Sequence, residues 1–149
     1  MAASSREFVN ARAAARRMLV QALYQWRLSP QPAQDLLAQF GAAPEFARAD
    51  AEYFREAIEA ICADTERIDD ELRLHSDMPP ERLDPVEHAI LQLGLWELMT
   101  RPDVPYRVVI NEGVELAKRF GATEGHRYVN AVLDRASRAH RSGERGEVA

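Results

Sequence analysis

The fold of this chain is decided by LDPVEHAILQLGLWELMTR, residues 83–101, which form its most apolar segment. The apolar side chains recur at helical spacing and cover most of the circumference of a helix, which is typical of a helix buried on all sides. They are Val86, Ile90, Leu91, Leu93, Leu95, Trp96, Leu98 and Met99. We therefore expect this segment to be the central helix of the fold.

Helical spacing continues on both sides of that segment, and apolar residues alternate nowhere for long. The sequence predicts an all-α protein of about six to seven helices, arranged as two small helical bundles packed together. The predicted helices cover residues 8–28, 33–40, 50–74, 83–101, 106–120 and 124–140.

Paired prolines at Pro79 and Pro80 predict the internal boundary, because such a pair cannot continue a helix. We expect an N-terminal helical subdomain with a basic first helix at residues 1–78 and a C-terminal helical subdomain at residues 79–140. Residues 141–149 are predicted to form a flexible, frayed tail.

Several classes of protein are disfavoured by the sequence. No apolar run approaches the roughly twenty residues that a membrane span needs, and no signal peptide is recognisable, so we expect a cytoplasmic protein without membrane contact. The single cysteine, Cys62, allows no intrachain disulfide. The phosphate-loop, nucleophile-elbow and zinc-helix motifs of enzymes are missing. The four histidines lie in different segments without the spacing of metal ligands or recognisable acidic partners. We expect no catalytic residue, metal or cofactor.

The distribution of charge leaves nucleic-acid binding open. A net charge of -5 taken alone disfavours it, because phosphate contacts depend on Lys and Arg. The net charge is, however, +4 over residues 1–30, -11 over residues 31–104 and +2 over residues 105–149. Such a chain can present one surface to RNA and another to a basic protein, since fields act locally. The alternative is an acidic surface with chance asymmetry.

The first helix carries the first candidate RNA surface. On a helical wheel Arg16, Arg17, Gln21 and Tyr24 share the face opposite the apolar stripe, with Arg12 at its edge. Arginines can meet phosphates, Gln21 can bond a base edge and Tyr24 can stack an unpaired base. Alternatively, Tyr24 packs on a neighbouring helix and the arginines only solubilise the face.

A second candidate surface lies where one helix ends near Lys118 and the next begins near Glu124. Free backbone amides at a helix start favour phosphate, and Arg127 beside Tyr128 offers a charge and a stacking ring. An ordinary interhelical turn with Tyr128 half-buried is the alternative.

A third candidate is acidic and surrounds the start and outer face of the central helix. It consists of Glu81, Asp84, Glu87 and Glu97. Acids near a helix start are stabilised by the helix dipole in any case, so this cluster alone does not establish a partner.

Five segments in order along the chain resemble the NusB family of bacterial transcription antitermination factors. They are VQALYQW at 20–26 after ARR at 15–17, LDPVE at 83–87, DVPY at 103–106, INEGVELAK at 110–118 and YVNAVLD at 128–134. The resemblance implies a non-catalytic factor that binds the boxA element of ribosomal RNA leader transcripts. It also implies that Gly113 stands where the family commonly has alanine, which weakens a helix unless close packing requires glycine.

The same resemblance implies site residues and partners. RNA contacts fall on Arg12, Arg16, Arg17, Gln21, Tyr24, Lys118, Glu124, Arg127 and Tyr128. Glu81 and Glu87 would bind NusE, a small ribosomal-subunit protein, and the other Nus factors and RNA polymerase would be reached indirectly.

Two rival functions remain at this point. One is a protein-interaction module in which the exposed helices form a homodimer. The other is the NusB-like module found at the start of some ribosomal-RNA cytosine methyltransferases, for which we expect 149 residues to leave too little chain for a catalytic domain.

Overall fold

The computed structural model describes residues 5–146, and their regular structure is entirely helical. The described range contains seven α-helices, which are α1 (Ser5–Leu28), α2 (Ala33–Gly41), α3 (Ala51–Ala63), α4 (Thr65–His75), α5 (Pro85–Thr100), α6 (Tyr106–Phe120) and α7 (Gly125–His140). Short 3₁₀ helices at Pro44–Arg48 and Pro80–Arg82 lie in the connections. The predicted all-α fold class is confirmed.

Helix α5 is the centre of the fold. Every residue from Glu87 to Leu98 is buried, and α1, α3, α4, α6 and α7 all pack against it. Its start is fixed by Asp84, whose Oδ1 accepts hydrogen bonds from the backbone N–H groups of Val86 at 2.9 Å and Glu87 at 3.3 Å. A capped helix with apolar residues on every side is stable only when other helices cover it, as they do here.

The single helix predicted over residues 50–74 is two helices, which corrects the sequence prediction. Asp64 is the C-cap of α3 and the N-cap of α4, with φ -115° and ψ 24° outside the helical range. Asp and Thr favour helix caps over helix interiors, so the chain bends at Asp64-Thr65. The bend turns Ile68 and Leu72 of α4 into the core.

One cluster of buried apolar residues runs through the molecule. It joins Leu23 of α1 and Ile58 of α3 to Ile90 of α5 and Val132 of α7. The division into subdomains at residues 78 and 79 stays a prediction, while the core on either side of it is continuous.

The first residue of the predicted tail, Arg141, is held in the fold and is not frayed. Arg141 is buried, and its guanidinium donates hydrogen bonds to the carbonyl oxygens of Glu97, Leu98, Arg101 and Val104 at 2.7–3.0 Å. The carbonyls of Glu97 and Arg101 also accept backbone N–H bonds from Arg101 and Val104. The carbonyl of Leu98 depends on Arg141, because Pro102, four residues on, has no N–H to donate. Residues 147–149 of the predicted tail lie outside the described residues.

Among residues 5–146, none of the helices has both the length and the apolar character needed to cross a membrane.

Candidate nucleic-acid interface

The exposed face of α1 presents part of the predicted RNA surface. Its apolar stripe, which includes Leu19 and Leu23, is buried in the core. The helical period therefore turns Gln21 and Tyr24 outwards, and Tyr24 is 39% exposed.

Three arginines from three separate elements meet beside that face. Arg17 and Gln21 of α1, Arg48 of the 3₁₀ helix and Arg119 at the end of α6 line a groove of about 610 Å³, which we call the basic groove. Within residues 5–146, none of these three arginines forms an ion pair. One acid, Glu45, also lines the groove. The groove therefore carries more positive than negative charge, which attracts an anionic ligand.

Lys118 lies next to the same surface. It lines a smaller depression of about 280 Å³ with Arg17 and Arg119, and its Nζ lies 3.7 Å from Glu115 Oε1. Both partners of this pair are exposed, so it competes weakly with a phosphate. The structure thus brings Lys118 together with Arg17, as the predicted site requires.

An apolar groove adjoins the basic groove on the other side of Gln21. It measures about 580 Å³, and its walls include the side chains of Tyr24, Phe40, Val86 and Phe120. An aromatic ring at such a wall can stack a nucleobase. Gln21 lines both grooves, so its amide lies where a base edge and the backbone of one strand would meet.

Arg16 is buried behind this surface, and its predicted role in RNA contact stays a prediction. Its side chain is 3% exposed, and its Nη2 donates to Glu97 Oε2 at 2.8 Å. Glu97 also accepts a hydrogen bond from the hydroxyl of Tyr53. Burial alone lowers the pKa of Arg16, but the bond and ion pair with Glu97 outweigh it and leave the pKa raised. Arg16 holds α1 to α5.

Arg12 is also taken up by the fold. Its guanidinium lies 3.8 Å from the centroid of the Tyr53 ring, and its Nε donates to Asp50 Oδ2 at 3.1 Å. Only 11% of the side chain is exposed. Cation–π and ion-pair contacts therefore fix α1 to the start of α3. The phosphate contact expected at Arg12 stays a prediction.

The residues of the second candidate surface do not lie together in the structure. Arg127 forms an exposed ion pair with Glu124 at 2.8 Å, and neither residue lines the basic groove. Tyr128 is half-buried, and its hydroxyl hydrogen-bonds the hydroxyl of Ser76 in the connection between α4 and α5. For Tyr128 the structure shows the half-buried arrangement of an interhelical turn.

The acidic cluster is smaller than predicted. Glu81 is exposed and pairs with Arg73, and Asp84 is exposed at the start of α5. Glu87 is only 9% exposed, because its carboxylate lies against the start of α7, where a Cβ on Gly125 would be 2.6 Å from Oε2. Burial, followed by the charge of Asp84, raises the pKa of Glu87. The partner contact expected at Glu87 stays a prediction, and Glu97 lies in the core.

Sequence reasoning assigned no role to Arg48 or Arg119. Arg48 reaches the groove because the segment after α2 folds back on α1, where the N–H of Asp50 donates to the carbonyl of Ala11 at 3.0 Å. The sequence around Arg48 gives no local indication that this segment folds back on α1. The pair Lys118-Arg119 at a helix end was the available signal for Arg119.

The fold and this surface define a small all-α protein with a cationic groove beside exposed aromatic side chains. The NusB family model matches residues 13–138. The transcription antitermination protein NusB of Pseudomonas entomophila (strain L48) is 49% identical over 130 residues, which are 87% of this chain and 78% of that protein. Its counterpart in Halorhodospira halophila (strain DSM 244 / SL1) is 50% identical over 138 residues, 91% and 88% of the two chains. The chain belongs to the NusB family.

Solved structures agree with this assignment. The structure of T. maritima NusB matches with a TM-score of 0.77 at 27% identity, over 91% of this chain and 96% of that one. The structure of antitermination factors NusB and NusE in complex with dsRNA matches with a TM-score of 0.69 at 24% identity, over 85% and 96%. The second likeness shows the fold. The resemblance seen in the sequence is confirmed.

Proposed function

We propose that this protein is a non-catalytic, RNA-binding transcription antitermination factor of the cytoplasm. It binds the boxA element of ribosomal RNA leader transcripts together with NusE, and the complex supports assembly of the antitermination machinery on RNA polymerase. The observation that carries the proposal is the convergence of three unpaired arginines on one groove beside Tyr24. The names of the curated relatives support antitermination as its purpose.

The RNA strand follows the two adjoining grooves. Arg17, Arg48 and Arg119 neutralise successive phosphates in the basic groove, and Lys118 adds a fourth contact at its edge. Tyr24 stacks an unpaired base in the apolar groove, while the amide of Gln21 bonds a base edge. Specificity in this arrangement comes from Gln21 and Tyr24, because phosphate contacts carry no sequence information.

NusE binds at the start of α5. A NusB protein of this fold has been solved with NusE and dsRNA, which supports both kinds of partner. Glu81 and Asp84 are exposed there, within the acidic region at residues 31–104. Acidic groups facing a basic RNA-binding protein raise the rate and specificity of association more than its affinity.

A fluorescence-anisotropy titration tests the RNA half of the proposal. A short boxA RNA and a scrambled RNA are titrated with the protein, each with and without NusE. We expect tighter binding to boxA that improves with NusE, and weaker binding after Arg17→Ala or Arg119→Ala. Arg67→Ala is the matched control, because Arg67 is exposed on α4 and pairs with Asp64. Equal affinity for both RNAs in both conditions would contradict the proposal.

The NusE half is tested separately by reversing one charge. Glu81→Lys is expected to weaken NusE binding while leaving the affinity of the protein alone for RNA unchanged or slightly raised. Glu66→Lys, an exposed substitution in the first turn of α4, serves as the control. Loss of NusE binding in both variants would indicate a general charge effect and not a site at α5.

A further inference from the structure

Three side chains from α4 and α7 converge at a place that the RNA and NusE surfaces do not use. Glu71 and His75 lie one turn apart on α4, and His140 is the last residue of α7. One candidate ligand atom from each residue lies within 4.8 Å of the other two. The imidazole rings of His75 and His140 also lie close together, with their centroids 6.3 Å apart.

We propose that Glu71, His75 and His140 bind a single divalent transition-metal ion, with Zn²⁺ the ion that this ligand set fits best. Two imidazole nitrogens and one carboxylate oxygen form a three-ligand site that leaves a fourth position for water. This proposal goes beyond the antitermination function and does not depend on it.

The distances suit a tetrahedral ion. His140 Nε2 lies 3.0 Å from Glu71 Oε2, and His75 Nε2 lies 3.6 Å from the same oxygen. Zinc–ligand bonds of about 2.0–2.1 Å at tetrahedral angles place ligand atoms roughly 3.4 Å apart. The two observed separations bracket that value. The ligand nitrogens of His75 and His140 lie within 4.8 Å of each other, so the two imidazoles would move closer together around one ion.

One polar atom of the cluster lacks a hydrogen bond. Nε2 of His75 is buried without a hydrogen bond among the described residues. An unsatisfied buried polar atom costs free energy, and a metal ion would supply the missing interaction.

The surroundings allow a cation. The side chains are 12%, 26% and 25% exposed for His75, Glu71 and His140, so an ion can enter from solvent. Arg135 is the nearby positive charge, and its Nε donates to the carbonyl oxygen of His75 at 2.8 Å. Because Arg135 is exposed, water and salt screen its repulsion.

The sequence analysis missed this cluster because it judged each histidine by its own neighbours. The available signal was the four-residue spacing of Glu71 and His75, which places both side chains on one face of a helix. His140 lies 69 residues from Glu71 in the chain, and only the packing of α7 on α4 brings it in. Such an ion would tie the C-terminal end of α4 to that of α7.

Calorimetric titration of the tag-free, chelator-treated protein with ZnCl₂ tests the proposal. We expect one equivalent of Zn²⁺ to bind saturably, and at least tenfold weaker binding after His75→Gln or His140→Gln. His126→Gln is the matched control, since His126 lies on α7 outside the cluster. Circular dichroism confirms that each variant is folded.

A second measurement does not depend on calorimetry. Zn²⁺ at a hundred times its Kd should raise the Tm of the wild-type protein by roughly 5–10 °C and leave the His140→Gln variant nearly unchanged. Absence of saturable binding to the wild-type protein would overturn the proposal. Binding that survives both His75→Gln and His140→Gln would also overturn it, because the ion would then lie elsewhere.

Discussion

Two neighbouring arginines on α1 have opposite environments. Arg16 and Arg17 differ by one position, or about 100° around the helix, and that rotation moves the side chain from the interface with α5 to the basic groove. The guanidinium of Arg16 is ion-paired with Glu97, whereas the guanidinium of Arg17 lies in the basic groove, where a ligand can reach it. A helical wheel of α1 alone placed both on one face, because it could not show how far α5 extends around the helix.

The two arginines should therefore separate stability from binding. Arg16→Ala leaves the carboxylate of Glu97 buried without its cation, and we expect a loss of ~3–5 kcal/mol in the free energy of unfolding. Arg17→Ala should change that free energy by less than about 0.5 kcal/mol and weaken RNA binding. Urea denaturation followed by circular dichroism measures the first effect. A stable Arg16→Ala protein with impaired RNA binding would refute the structural role of Arg16.

Glu87 makes stability depend on pH in a defined direction. Its pKa in the folded protein is raised above the ordinary 4.5, so the folded state holds the proton more tightly than the unfolded state. The resulting stabilisation is complete below the unfolded pKa and is lost as pH rises through the folded pKa. Glu87→Gln should therefore be more stable than wild type at neutral pH, with the difference shrinking as the acid is protonated.

Urea denaturation at about pH 4 and about pH 7 checks this expectation. Glu66→Gln is the control, because Glu66 is an exposed acid near the start of α4. The same stability difference between wild type and Glu87→Gln at both pH values would show that the carboxylate of Glu87 is not destabilised by burial.

At the scale of elements, close packing explains glycines that lie inside two helices. A Cβ on Gly94 of α5 would lie 2.7 Å from Leu133 Cδ2, and a Cβ on Gly113 of α6 would lie 2.7 Å from Leu133 Cδ1. The fully buried Leu133 of α7 thus fits between two glycines. Gly113 weakens its own helix but allows α6 and α7 to approach, which is the packing reason left open by the sequence.

Gly94→Ala should destabilise the protein by about 1–2 kcal/mol. Overpacking against Leu133 outweighs the roughly 1 kcal/mol that alanine adds to helix stability, because Gly113 leaves Leu133 no room to withdraw. Gly41→Ala provides the comparison, since nothing lies within 4 Å of a Cβ there. It should leave stability unchanged or raise it by up to about 1 kcal/mol. Thermal unfolding of the two variants distinguishes these outcomes.

The elements themselves were largely predictable. The bounds of α2, α6 and α7 fall within a residue of the predicted ones, because proline and glycine mark their ends. The break between α3 and α4 could not be predicted, because Ile61 and Ile68 continue one apolar pattern across the break. A cap in the middle of a periodic segment is visible only once the direction of the second helix is known.

At the scale of the molecule, the candidate site is assembled from parts distant in the chain. The sequence correctly suggested that charge is distributed by region, and it identified Arg17, Gln21, Tyr24 and Lys118 as candidates. It could not show that Arg12 and Arg16 pair with acids distant in the chain, or that Arg48 and Arg119 line one groove. Those relations depend on tertiary packing, which local patterns do not encode.

The salt dependence of RNA binding measures how many of these cations act together. Four contacts, from Arg17, Arg48, Lys118 and Arg119, predict a slope of about -3 for the logarithm of affinity against that of salt concentration, at roughly 0.7 per contact with a single strand. Anisotropy titrations over a range of KCl concentrations give this slope. A value near zero would exclude the basic groove as the binding surface, despite its position.

The contacts of Arg141 also bear on how the protein is made. The end of the central helix is closed by a side chain that the ribosome adds more than forty residues after the helix itself. During synthesis the carbonyl of Leu98 lacks this donor until residue 141 has been added, because Pro102, four residues on, has no N–H. A nascent chain that stops short of this residue therefore leaves the end of the central helix incomplete.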